Sequence, residues 1–134
     1  MSRSGYIHDL GSWQLIRWRG AVSSAIRGKR GQQFFSDLVV ALDKIPGKRL
    51  IADELEEAGE FCALGAVGSA RGIDMTNIDP HDSRKVSEEF DIAGALAREV
   101  VYMNDEWSEW GQESPEHRWA RMRQWALENI TGGL

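Results

Sequence analysis

The sequence predicts a mainly α-helical, compact single domain of four to five helices with a small β-hairpin. Three observations carry this. The chain has 134 residues, 42% hydrophobic and 28% charged, the composition of a globular chain long enough to bury one core. Apolar residues recur at spacings of three and four through most of its length, the period of a helix buried on one side. The stretch at about 48–62 departs from this period, placing a turn sequence between two short runs that suit strands. Residues 1–134 are expected to form one unit, with a basic helical pair at about 12–45 preceding the hairpin and an acidic helical part at about 48–131.

In the first helix, Ser12–Arg27, residues Leu15, Trp18, Val22, Ala25 and Ile26 share a face. Ser12 suits the N-cap, Arg27 suits the negative end of the dipole, and Gly28 suits a left-handed stop. Gly20 inside this helix costs about 1 kcal/mol relative to alanine, which predicts a second backbone packed close to it. Gly28-Lys29-Arg30-Gly31 reads as a short basic turn. The second helix then runs from about Gln32 to Ile45, with Phe34, Phe35, Leu38, Leu42 and Ile45 inward and Pro46-Gly47 as its stop. So short a connection predicts an antiparallel pair.

Residues Lys48–Leu55 and Glu60-Phe61-Cys62 read as the two sides of the hairpin, with Glu57-Ala58-Gly59 as its turn. A hairpin this small must lean on the helices. Cys62–Arg71 is rich in small residues and reads as a central buried helix: Gly65, Ala66, Ser69 and Ala70 admit a neighbouring backbone, Leu64 and Val67 add volume, and Gly72 ends it. Ile73–Pro80 is a loop and His81–Phe90 a short helix or helical turn. Ile92–Met103 is a stronger helix, ended by Asn104-Asp105. Glu106–Glu113 reads as an acidic loop carrying Trp107 and Trp110. Ser114-Pro115-Glu116 then supplies a cap, a proline at the first helical position and an acid at the positive end of the dipole. Trp119, Met122, Trp125, Ala126 and Ile130 make the inner face of that last helix.

No apolar run approaches the 18 or so residues that span a bilayer. Met1–Tyr6 is not followed by the apolar stretch of a secretory signal. The single cysteine, Cys62, excludes an internal disulfide and a cysteine-rich zinc site. A reducing, cytoplasmic setting is expected. The net charge of −5 is unevenly spread: Met1–Leu50 balances at +6 and the remainder at −11. Either the two parts attract each other within the fold, or the basic part meets an acidic partner such as nucleic acid or protein.

The stretches Leu15–Val22, Ala25–Gln32 and Phe61–Gly68 resemble a family of small uncharacterised bacteriophage and prophage proteins over nearly the whole chain. More loosely, Cys62-Ala63-Leu64-Gly65-Ala66, Asn104-Asp105 and the helix opened by Ser114-Pro115-Glu116 are similar to a second family of unknown function, over about Leu50–Ile130. The resemblance implies a viral or prophage origin. It brings no activity and no catalytic residues.

The residues themselves offer no catalytic constellation. Cys62 stands at a helix N-terminus, where a thiol is activated, but its neighbours Phe61 and Leu64 make it a small core residue. His8, His81 and His117 include no pair at the i, i+4 spacing of metal ligands, and His117 beside Glu113 and Glu116 reads as ion pairing. Gly65, Gly68 and Gly72 lack the Gly-Lys-Ser/Thr ending of a phosphate loop. The paired carboxylates, Asp53-Glu54 and Glu88-Glu89 among them, read as solvated surface. No metal, cofactor or catalytic residue is expected, and the chain reads as a non-enzymatic protein.

Two features read as partner-binding. One is the basic surface of Arg17, Arg19, Arg27, Lys29 and Arg30, interleaved with Trp13 and Trp18. The other is the acidic loop with Asp105, Glu106, Trp107 and Trp110, whose tryptophans either fold back onto the core or anchor a protein partner that carries a basic patch. The expected function is that of a phage or prophage accessory protein binding a protein partner, a host-defence or phage-assembly component being consistent with its size. The alternative is a nucleic-acid-associated protein using the basic helix pair. No membrane partner is expected, and a homodimer is compatible with the charge split.

Overall fold

The computed structural model describes residues 3–4, 12–106 and 113–131. The chain forms α1 (Ser12–Arg27), α2 (Lys29–Lys44), β1 (Glu56–Glu57), β2 (Glu60–Phe61), α3 (Ala63–Arg71), α4 (Ser83–Phe90), α5 (Gly94–Asp105) and α6 (Pro115–Asn129). The fold is mainly α with a small antiparallel hairpin. The described helices number six rather than four to five, because 83–90 closes a full helix. There Asp82 accepts the Lys85 N–H at 3.2 Å, and Asp91 ends the helix in the left-handed conformation.

Helix α2 is the centre of the packing: α3 lies on one side of it and α6 on another, while α1 crosses to α5, and α4 covers α5. Phe34, Phe35, Leu38 and Leu42 of α2 are fully buried in one cluster with Leu64 and Val67 of α3, Phe90 of α4, Leu96 and Val100 of α5, and Met122 of α6. Trp125 meets Phe35 edge-to-face at 5.1 Å, and the Trp119 indole donates to the Leu42 carbonyl at 2.9 Å. The small-residue helix α3 is buried from Ala63 to Gly68, as its composition predicts.

The connection between α1 and α2 is tighter than the four-residue turn expected from Gly28-Lys29-Arg30-Gly31. Only Gly28 lies outside the helices, at φ −68° and ψ 163°, so it is an extended N-cap and not a left-handed stop. Lys29 and Arg30 are the first turn of α2. A Cβ on Gly31 would stand 2.0 Å from the Ala25 carbonyl oxygen, so the close backbone approach expected at Gly20 occurs here instead. A Cβ on Gly20 meets nothing within 4 Å, and that residue is exposed. Gly20→Ala is therefore expected to stabilise the fold by about 1 kcal/mol in urea denaturation, since only the helix propensity changes.

The hairpin pairs Glu56 with Phe61 and Glu57 with Glu60. Ala58 and Gly59 both have positive φ, 53° and 80°, as a two-residue turn between twisted strands requires. The first strand begins later than the predicted Lys48–Leu55, because Asp53 at φ 72° breaks that run. Leu50 and Leu55 are instead buried in an irregular loop, which the Ile51 N–H ties to the Phe61 carbonyl at 2.9 Å. Helix α5 also differs from expectation: it continues through Asp105, so that Asn104 is a buried residue of its last turn. Leu15, expected on the inner face of α1, is 44% exposed. At α6 the predicted cap is present, Ser114 Oγ accepting the His117 N–H at 3.1 Å with Pro115 following. Among the described residues, no helix is long and apolar enough to cross a membrane.

Candidate functional site

A polar cluster closes the N-terminus of α3. Cys62 is the N-cap, and its Sγ accepts the Gly65 N–H at 3.4 Å. Asn104, from the last turn of α5, satisfies a second free donor of the helix: its Oδ1 accepts the Ala63 N–H at 3.0 Å. The Asn104 amide donates to the Ile51 carbonyl at 2.9 Å and to Asp105 Oδ1 at 2.8 Å. Asp105 in turn receives Arg3 through two bonds of 2.6 Å, from Nε and Nη2, and Arg3 Nη1 lies 3.8 Å from Cys62 Sγ. Ser4 Oγ donates to Glu106. Burial works against the Arg3 charge, but Cys62 and Asp105 outweigh it and raise its pKa, so the guanidinium stays ionised. Arg118 extends the network, donating to the Asn104 carbonyl and the Leu50 carbonyl at 3.0 Å each.

This cluster is satisfied from within: no buried side-chain nitrogen or oxygen lacks a partner among the described residues. Cys62 is buried, and the polar groups that meet its Sγ among the described residues are a backbone N–H and a cation. Sequence reasoning singled out Cys62 and Asp105 but missed Arg3 and Asn104. Asn104 had a legible signal, standing four residues after Val100 on the inward face of α5. Arg3, 102 residues from Asp105, had none.

A second ion-pair node starts α6. The Glu113 carboxylate is 2.6 Å from His117 Nδ1 and accepts from Arg121 at 2.6 and 2.7 Å, with Arg118 at 3.5 Å. Burial raises its pKa, but hydrogen bonds from Arg121 and His117 and the charges of Arg121 and Arg118 lower it more, leaving it below the ordinary carboxylate value. A folded-state pKa below the unfolded one adds stability at neutral pH, and that stability disappears as pH falls through the folded value. Glu113→Gln is expected to cost about 2 kcal/mol at pH 7. The gap to the parent protein should narrow below pH 4; denaturation at pH 7 and pH 3 measures both.

The five predicted cations divide into two groups. Arg19 lies 3.3 Å from the buried Glu99, and Arg30 lies 3.3 Å from Asp91. Together with Arg3–Asp105 and the Arg49 pairs to Glu60 and Glu116, these join the basic and acidic parts of the chain within the fold. Arg17, Arg27 and Lys29 remain exposed, without an ion-pair partner among the described residues. Of the acidic candidates, Asp105 is turned inward onto Arg3 and Glu106 accepts from Ser4. Trp107 and Trp110 lie outside the described residues.

Helix α1 carries a solvent-facing stripe. Trp13, Ile16, Arg17, Gly20 and Arg27 follow the three-and-four spacing on the side away from Val22, and Trp13 and Ile16 are 69% and 62% exposed. The described part of a groove of about 820 Å³ separates α1, α5 and α6, lined by Arg19, Glu99, Tyr102, Arg121 and Trp125. Its arginines are engaged, by Glu99 and Glu113. No family model matches the chain, and no curated protein and no solved structure matches it either.

Proposed function

We propose that the protein is a phage or prophage accessory protein that binds a protein partner, without catalysis, through the solvent face of α1. The origin rests on the resemblance carried by residues 15–22, 25–32 and 61–68. The binding reading rests on one observation: Trp13 and Ile16 stand exposed one turn apart, in a stripe that continues into the exposed Arg17 and Arg27. Exposed tryptophan and arginine are the residue types that dominate protein hot spots. Gly20 lies in the middle of this stripe with open space beside it, which lets a partner backbone approach closely. The chemistry fits an acidic protein surface with an apolar cleft for Trp13. A host-defence or phage-assembly component is the class of partner this reading points to.

The test is capture from a lysate of the natural host with the parent protein, Trp13→Ser/Ile16→Ser and Val40→Ser. Val40 is an exposed apolar residue on α2 and serves as the control. A protein retained after nuclease treatment, lost with the α1 variant and kept with the Val40 variant is the expected result. Enrichment that vanishes with nuclease would favour nucleic acid on Arg17, Arg27 and Lys29 instead.

A further inference from the structure

We propose that the recess at the N-terminus of α3 is a guanidinium-recognition site occupied by this chain's own Arg3, which makes Arg3–Ser4 an exchangeable strap over Cys62. The recess is assembled from parts distant in sequence and organised independently of its occupant. Asn104 is fixed by the Ala63 N–H and the Ile51 carbonyl, and it holds Asp105 Oδ1 at 2.8 Å. The Asp53 N–H approaches the same oxygen at 3.3 Å. The carboxylate is thus aimed before any cation arrives. The ligand shape follows from the bonds it receives: two parallel donors 2.6 Å from the two carboxylate oxygens, and a third directed at Cys62 Sγ. A planar fork satisfies all three, whereas an ammonium is a single point charge.

Arg3 and Ser4 are 5% and 1% exposed, and the Asp105 side chain is as deeply covered as they are. An arginine side chain from another protein enters this recess only by displacing Arg3, which belongs to the same chain as the recess and so competes intramolecularly. The strap is therefore a built-in competitor, and Cys62 is the reporter beneath it. This is independent of the stripe on α1.

The experiment compares the parent protein with Arg3→Ala by labelling Cys62 with a thiol reagent, adding ethylguanidinium or ethylammonium at matched ionic strength. Arg3→Ala is expected to label about tenfold faster or more, because a buried ion pair no longer closes the recess. Ethylguanidinium at tens of millimolar should slow labelling saturably towards the parent rate, and ethylammonium should not. Unchanged labelling in Arg3→Ala, no restoration by ethylguanidinium, or equal restoration by both cations would each overturn the proposal. If Arg3→Ala loses its helical circular-dichroism signal, recovery of that signal with ethylguanidinium alone supports it, and no recovery overturns it.

Discussion

Asp105→Ala is expected to lower stability by about 3–5 kcal/mol, the usual cost of removing one member of a buried ion pair. The substitution leaves the Arg3 guanidinium facing Cys62 with its bidentate partner gone, and it also frees the Asn104 amide from one of its two acceptors. For a chain of this length the thermal midpoint should fall by roughly 10 °C or more. Asp105→Asn separates charge from shape: it keeps an acceptor for Arg3 but adds a donor facing Arg3 or Asn104, and it should fall between parent and alanine variant. Equal stability of all three proteins would show that the cluster at the α3 N-terminus is held by packing alone.

Gly65→Ala is expected to destabilise by at least about 1–3 kcal/mol, although alanine is the better helix former. A Cβ at position 65 would stand 1.8 Å from the Leu55 carbonyl oxygen and 2.8 Å from its carbon. That neighbour is backbone, so no rotamer change relieves the overlap. The loop holding Leu55 is further pinned by the Cys62 N–H donating to the same carbonyl at 3.2 Å. Gly20→Ala, with nothing within 4 Å of its Cβ, supplies the opposite sign in the same protein. Urea midpoints for the pair measure whether each glycine is kept for space or not.

The helical class was legible because it depends on periodicity, which is a local property of the chain. The apolar faces of α2 and α6, the αL stop at Gly72 and the Ser114-Pro115 cap follow from residues within one or two turns of each other. The contacts that set the cluster are not local. Cys62 as an N-cap was visible as a position, while its closure by Asn104 and Arg3 joins residues 41 to 102 apart. The glycines show the same division. The close backbone approach expected at Gly65 is present, within a run of small residues that signalled it. The one expected at Gly20 falls at Gly31 instead, because the point where two helices cross is decided by the tertiary fold. The charge asymmetry was visible as a sum, but the engagement of Arg19 and Arg30, as against the exposed Arg17, Arg27 and Lys29, required the positions of Glu99 and Asp91.

The most direct test of the docking face is photo-crosslinking from benzoylphenylalanine placed at Ile16 and, separately, at Val40, both exposed and on different helices. In cells of the natural host, a discrete protein adduct from position 16 that is absent from position 40 is the result expected if α1 binds a protein partner. The same adducts from both positions, or adducts at position 16 that contain nucleic acid in place of protein, would contradict it.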